Sequence, residues 1–313
     1  MSADLVTAYG WQGVVLLAWV GLSVGSFLNV VIYRMPVMLT REWREQAREI
    51  LADAGEPVAT PTPADEPFNL MVPRSRCPHC GHQIRAWENI PVISWILLRA
   101  RCANCSAPIA WRYPAIELLT GIATVATVAL FGFTWVGLTA CFFTWMLIAL
   151  TFIDYDTKLL PDQITYPLLW LGLLTNGLLT GIVPLTDALI GAVAGYLFLW
   201  LTYWGFKLAT GKEGMGYGDF KLLAALGAWL GWQALASIIL IAAALGLVYA
   251  IALKIFTRGD DTSQPLTTGE VPVQIREADS DIPAGAIPFG PFLATAGWVT
   301  LMFRDTVLAV FLP

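Results

Sequence analysis

The chain has 313 residues, of which 57% are hydrophobic and 13% are charged. A soluble globular domain has roughly 25% charged residues, so this composition excludes an ordinary soluble domain and predicts a protein embedded in a lipid bilayer. The net charge is -5, and the 18 Lys and Arg residues form no basic face. Nucleic acid is therefore excluded as an expected partner.

Apolar stretches divide most of the chain into candidate transmembrane helices, for which a full span takes about 17 to 25 residues. The predicted spans are Gln12–Tyr33, Tyr113–Phe131, Trp135–Ile153, Thr165–Val183, Asp187–Phe206, Phe220–Leu230, Gln233–Phe256 and Pro288–Phe303. The sixth is short, so seven spans and a re-entrant segment are an alternative to eight. The predicted fold is an all-α polytopic membrane protein with about eight transmembrane helices.

The positive charges predict how these helices are oriented, because short cytoplasmic loops retain Lys and Arg. Ten of the 18 basic residues lie in the segment Arg34–Arg112, whereas the turns at 132–133, 184–186 and 231–232 have none. We therefore expect a multi-pass membrane protein whose N-terminus lies outside and whose long polar segment lies in the cytoplasm. The predicted divisions are a first transmembrane helix (1–33), a small cytoplasmic domain (34–112) and a transmembrane domain (113–313).

The cytoplasmic domain contains two Cys-x-x-Cys pairs. Such pairs, separated by 21 residues, are typical of two turns that direct four thiolates toward one tetrahedral zinc ion. Four protein ligands leave no open coordination position, so the predicted zinc is structural. Its ligands would be Cys77, Cys80, Cys102 and Cys105. We expect His79 and His82 to be solvent-exposed bystanders, and Cys141, in the middle of a span, to be a packing residue.

Two carboxylates lie at the predicted cytoplasmic ends of helices. Asp154 ends the third span, and Asp219 begins the sixth after glycines 214, 216 and 218. Carboxylates at the edge of the hydrocarbon are costly unless they are paired or face water, which makes them candidates for function. Two of them in one site would divide the acid and base roles needed to activate water and protonate a leaving amine. Alternatively, Asp219 only caps a helix, while Asp154 and Asp156 anchor the interface. The residues alone leave both interpretations open.

The segment 213–223, which contains Gly-Tyr-Gly-Asp, resembles the Gly-x-Gly-Asp signature of the type IV prepilin peptidases, also called prepilin leader peptidase/N-methyltransferases. Residues 25–34 are similar to the first-helix motif of this family, and the two Cys pairs are similar to its cytoplasmic domain. Residues 152–162 resemble the segment that carries its first aspartate. The resemblance extends in order as far as residues 287–291.

This resemblance implies that Asp154 and Asp219 are the catalytic pair of an aspartic endopeptidase, with Asp156 and Asp162 the neighbours most easily confused with the first. It implies removal of the leader from type IV prepilins or type II secretion pseudopilins, then N-methylation with S-adenosylmethionine. It also implies a location in the bacterial inner membrane, where the outside N-terminus would be periplasmic. Residues 34–112 would form the methyltransferase region and 113–313 the peptidase. No glycine-rich fingerprint locates the methyl donor.

Glu117 looks like the family's glutamate after Arg-Tyr-Pro. It would either line the methyl-transfer site or form an ion pair with Arg112 or another basic residue, and the sequence does not decide between these roles.

Two other classes of protein fit part of the sequence. A proton-coupled transporter also uses intramembrane carboxylates, but they would lie deep in the membrane, and no inverted repeat is visible here. A non-catalytic zinc-containing component of a secretion complex would need neither aspartate. Cleavage of a prepilin separates the three.

Overall fold

A computed structural model describes residues 2–55, 67–179, 181–212, 214–256 and 287–311. Within these ranges the regular structure is helical, apart from two isolated β-bridges. The α-helices are α1 (Ser2–Asp53), α2 (Ile93–Leu97), α3 (Arg112–Phe131), α4 (Trp135–Thr157), α5 (Asp162–Leu178), α6 (Leu185–Thr210), α7 (Tyr217–Leu230), α8 (Leu235–Phe256), α9 (Gly290–Met302) and α10 (Arg304–Phe311). Short 3-10 helices span Ala86–Asn89 and Trp232–Ala234.

The all-helical membrane class is confirmed. In the described ranges, five helices are long and apolar enough to cross a bilayer, and α9 with α10 makes six if this pair, bent by 105°, counts as one span. The predicted count of about eight also included α5 and α7, which have 17 and 14 residues. At 1.5 Å per residue, α7 is about 21 Å long, less than the roughly 30 Å of hydrocarbon.

Helix α1 extends beyond its predicted span. It continues through Pro36 as far as Asp53, so the predicted division between residues 33 and 34 falls inside a helix. The buried Arg34 guanidinium donates to the carbonyl oxygens of Asn69 (2.8 Å) and Pro73 (2.6 Å). The chain that follows residue 66 therefore folds back onto α1.

Glycines allow two helix pairs to approach closely. A Cβ atom on Gly25 of α1 would lie 2.7 Å from the Cα atom of Glu117, so α1 and α3 are in backbone contact. Gly191 of α6 and Gly227 of α7 likewise face each other's carbonyl oxygens. At these positions the missing side chains allow close helix packing.

Helix α7 occupies the centre of the bundle, packed against α5, α6 and α9, and its residues 222–230 are all buried. Asn176 at the end of α5 holds the far end of α7 by donating to the carbonyl oxygens of Ala228 (2.9 Å) and Trp229 (3.1 Å). Its own oxygen accepts from the amides of Ile182 and Val183. The depth of α7 in the bundle is therefore fixed at its C-terminal end.

Candidate functional site: an aspartate pair and a cysteine cluster

The first aspartate of the candidate site lies where α4 ends. Asp154 is in the last turn of this helix and is 5% exposed. Lys158 then takes a left-handed conformation (φ 55°) that terminates α4, and α5 begins four residues later at Asp162. This sharp reversal leaves the Asp154 carboxylate facing the interior of the bundle.

The N-terminus of α9 meets this carboxylate directly. The backbone amide of Gly290 donates to Asp154 Oδ2 over 3.0 Å. A Cβ atom at position 290 would lie 2.6 Å from the same oxygen, so a larger residue would displace the carboxylate. The partial positive charge of a helix N-terminus also favours an anion at this place.

The second aspartate lies in the first turn of α7. Asp219 is 7% exposed, and among the described residues its Oδ1 atom has no hydrogen-bond partner. It follows Gly218, where a Cβ atom would lie 2.7 Å from Cβ of Leu160. Leu160 also contacts Gly290, so one side chain joins the surroundings of both aspartates. Asp154 and Asp219 therefore lie in one neighbourhood of the bundle, around the side chain of Leu160.

The two neighbouring aspartates have different surroundings. Asp156 binds both terminal nitrogens of the Arg112 guanidinium, at 2.7 and 2.5 Å, and Asp162 accepts from Lys221 Nζ at 2.7 and 2.8 Å. No described residue forms an ion pair with Asp154 or Asp219. Two carboxylates of this region are therefore neutralised by ion pairs. The other two, Asp154 and Asp219, are buried and available for chemistry.

The four cysteines of the predicted cytoplasmic domain (34–112), called the cysteine domain below, converge on one point. Their sulfur atoms all lie within 4.8 Å of one another. The Sγ atoms of Cys77 and Cys105 are 3.8 Å apart, and those of Cys80 and Cys102 are 4.0 Å apart. This cluster can hold a metal ion.

Each cysteine pair sits in a turn with the same backbone hydrogen bonds. In the first, the Cys77 amide donates to the His82 carbonyl (2.8 Å), and the Gly81 amide donates to the Cys77 carbonyl (2.9 Å). The same two bonds recur in the second turn between Cys102 and residues 106 and 107, at 3.0 and 2.8 Å. The repeated local structure explains why two separated pairs present their sulfurs symmetrically.

The surroundings of the first turn favour the thiolate form of one ligand. The backbone amide of His82 and the side-chain amide of Asn104 lower the pKa of the Cys80 thiol to about 6. The thiolate is the form that binds metal ions. His79 is exposed, as predicted, but the expectation for His82 was wrong, because this residue is partly buried with its Nε2 atom 3.1 Å from Glu88 Oε2.

Two further predictions concerned residues of the bundle. Glu117 is buried and accepts a hydrogen bond from the Val92 amide (2.7 Å), while Arg112 pairs with Asp156. The expected alternative, an ion pair between Glu117 and Arg112, is therefore not formed. Cys141 is buried in an apolar cluster, in agreement with a packing role.

Sequence reasoning did not identify Gly290 or Leu160 as part of this site. Both residues lie in segments that carry the family resemblance, 287–291 and 152–162, but nothing in those segments assigned either of them a role beside the aspartates. The first residue of the signature segment, Glu213, lies outside the described residues.

The fold and the site define a polytopic membrane protein with a buried aspartate pair and a four-cysteine cluster. Two family models match the chain: the Bacterial Peptidase A24 N-terminal domain over residues 19–131, and the Type IV leader peptidase family over residues 141–251. With the curated relatives described next, these matches show that the chain belongs to the type IV leader peptidase family.

Among its relatives are proteins named prepilin leader peptidase/N-methyltransferase. The one from Aeromonas hydrophila is 51% identical over 309 residues, which cover 98% of this chain and 97% of that protein. The one from Stutzerimonas stutzeri is 50% identical over 93% of this chain and 91% of its own length, and the one from Pseudomonas aeruginosa is 46% identical over the same shares. No solved structure was found to match.

Proposed function

We propose that the chain is a membrane-embedded aspartic endopeptidase that removes the leader from type IV prepilins or type II secretion pseudopilins and then methylates the new N-terminus. One observation carries this proposal: Asp154 and Asp219, far apart in the sequence, are both buried near the side chain of Leu160, and neither forms an ion pair with a described residue. The names of the relatives support both activities.

The geometry supports water activation by the two carboxylates. One aspartate takes a proton from water, the resulting hydroxide attacks the scissile carbonyl, and the other aspartate protonates the leaving nitrogen as the peptide bond breaks. Gly290 orients the Asp154 carboxylate through its backbone amide. When the products leave, the second carboxylate regains its proton from the first, which restores the starting protonation of the pair.

We further propose that this site faces the cytoplasm and that the N-terminus is periplasmic. The cysteine domain and the candidate aspartates lie at the same end of α3 and α4, because Arg112 at the start of α3 contacts Asp156 at the end of α4. The basic residues favour the cytoplasm for that end. A prepilin, with a basic leader before an apolar helix, would present its scissile bond at this level.

The cysteine cluster suits a structural zinc ion. Four sulfurs at about 2.3 Å from one tetrahedral zinc are about 3.8 Å apart, which compares with the 3.8 and 4.0 Å separations found here. When bound, the zinc ion holds the two turns together. Cys77, Cys80, Cys102 and Cys105 would be its ligands, and they leave no position open for chemistry.

We assign the methyl donor to S-adenosylmethionine, as the family resemblance implies. The support is the methyltransferase in the printed names of the relatives. No residue of this chain is assigned to the donor, and Glu117, hydrogen-bonded to Val92, holds the cysteine domain against α3.

The proposal is tested by incubating membranes that contain the chain with one candidate prepilin and S-adenosylmethionine. The expected result is loss of the leader together with a gain of one methyl group at the new N-terminus, both read by mass spectrometry. Membranes without the chain are the control. Intact prepilin in both samples, for every candidate substrate, would overturn the proposal.

A further inference from the structure

Each candidate catalytic aspartate has an ion-paired residue two positions after it. Asp156 follows Asp154 and binds Arg112 of α3, while Lys221 follows Asp219 and binds Asp162 of α5. Two positions along an α-helix correspond to a rotation of about 200° around its axis, so the two side chains point to nearly opposite sides. Each ion pair therefore fastens a helix end from the side opposite its aspartate.

The pair on α4 is bidentate and partly shielded. The side chains of Arg112 and Asp156 are 22% and 16% exposed, and the guanidinium lies over the ring of Phe152, 5.2 Å from its centroid. Phe152 and Asp156 are on either side of Asp154 in the sequence. A planar fork that binds both carboxylate oxygens fixes direction as well as distance.

The start of α3 is itself held by two other parts of the molecule. Glu117 accepts the Val92 amide of the cysteine domain at 2.7 Å, and Asn29 of α1 donates to the Tyr113 carbonyl at 3.2 Å. The start of α3, which carries Arg112, is therefore held in place by contacts with α1 and the cysteine domain.

The pair on α7 has the same design. Lys221 Nζ lies 2.7 and 2.8 Å from the two oxygens of Asp162, and 5.2 Å from the ring centroid of Tyr166. Asp162 and Tyr166 both belong to α5, whose start follows directly on the turn that carries Leu160. This pair joins the beginning of α7 to the beginning of α5.

We propose that Arg112–Asp156 and Lys221–Asp162 are two positioning pairs, which hold the helix ends that carry Asp154 and Asp219 so that the carboxylates face each other. The inference rests on the proposed peptidase function. Neither pair touches the substrate in this account. Their loss lowers the rate of the chemical step without weakening prepilin binding.

The test is a double-mutant cycle on each pair with purified full-length protein and a prepilin substrate. Arg112→Gln and Asp156→Asn should each lower kcat about tenfold with KM unchanged, since small displacements of catalytic groups reduce rates by such factors. The double variant should be no slower than the worse single variant, because the two residues act through one contact. Lys221→Gln and Asp162→Asn should behave in the same way.

Asp187→Asn is the matched control, since Asp187 is a carboxylate that also bonds another element, through Gln233 at 2.9 Å, but at the opposite end of the bundle. It should leave kcat unchanged.

If the neutral variants do not accumulate, Arg112→Lys keeps the charge but loses the fork, and an intermediate kcat is expected. A wild-type kcat in the variants of either pair, additive losses in either cycle, or an effect on KM alone would overturn the proposal. Failure of the peptidase function is distinguishable, because the unsubstituted protein would then release no leader, whereas failure of this inference leaves an active unsubstituted protein and an inactive Asp154→Asn variant.

Discussion

At the scale of single residues, the sequence identified four aspartates near the site but could not rank them by composition, since all four follow or precede apolar helices. The structure separates them through their partners: Asp156 and Asp162 are ion-paired, while Asp154 and Asp219 are buried and form no ion pair with a described residue. These partners are 44 and 59 residues away in sequence. No local pattern contains that information.

The contact of Gly290 with Asp154 gives a first prediction. Gly290→Ala places a methyl group 2.6 Å from Asp154 Oδ2, which forces the carboxylate or α9 to move. We expect kcat for prepilin cleavage to fall roughly a hundredfold, in line with misplacement of a catalytic group by about 1 Å. Gly205→Ala is the control, because its Cβ would contact nothing within 4 Å. Equal activity of the two variants would contradict a role for Gly290 in orienting Asp154.

The cysteine residues give a second prediction. Cys77→Ser and Cys102→Ser should each reduce the zinc content of purified protein from about one ion per chain to near zero, because one ligand of the tetrahedral set is lost. Methylation should then fall further than proteolysis, since the aspartates lie outside this domain. Elemental analysis and N-terminal mass measure the two effects.

Cys141→Ala is the control for this experiment, because Cys141 is buried away from the cluster. Unchanged zinc content in Cys77→Ser would contradict the assignment of the ligands.

At the scale of helices and turns, the length of the apolar stretches predicted where the helices lie. It did not predict that some helices extend beyond the apolar stretch or end early. Helix α1 continues from the first span into the polar segment after it, with Pro36 inside the helix. The charged Arg34 side chain is stabilised there by hydrogen bonds to backbone carbonyls of a distant loop. Helix α7 is short because Asn176 and its neighbours close its C-terminal end inside the bundle. Both outcomes depend on tertiary contacts.

The Asn176 contacts give a third prediction. Asn176→Leu leaves the amides of Ile182 and Val183 without their acceptor in a buried place, and it removes the two bonds that hold the end of α7. We expect a loss of about 1–3 kcal/mol in the free energy of unfolding. Thermal unfolding in detergent measures it. Thr202→Ala, on an exposed face of α6, should change the midpoint little.

At the scale of the whole molecule, composition established the membrane class, and the distribution of Lys and Arg predicted which end faces the cytoplasm. Length alone could not give the number of crossings, because α7 is buried along most of its length by neighbouring helices and need not match the thickness of the bilayer. The family resemblance implied that the aspartates of α4 and α7 share a site, but the approach of α9 to that site was beyond the sequence, since Gly290 lies more than 60 positions from either aspartate.

The orientation gives a fourth prediction. Thr186→Cys, in the first turn of α6, should react with a membrane-impermeant thiol reagent that reaches the periplasm of intact cells. Thr210→Cys, at the other end of α6, should react only after the cells are broken, because that end faces the cytoplasm in this account. Both side chains are exposed, so accessibility within the protein does not confound the comparison. The unsubstituted chain gives the background from its own cysteines, and the reverse pattern of labelling would contradict the orientation.

The most direct test of the central claim is single-turnover cleavage of a prepilin by folded, purified Asp154→Ala and Asp219→Ala. The account predicts that each variant abolishes cleavage while membrane insertion and zinc content stay at the level of the unsubstituted chain. Substantial leader release by either variant would contradict it, because two carboxylates acting together cannot lose one member and keep their chemistry.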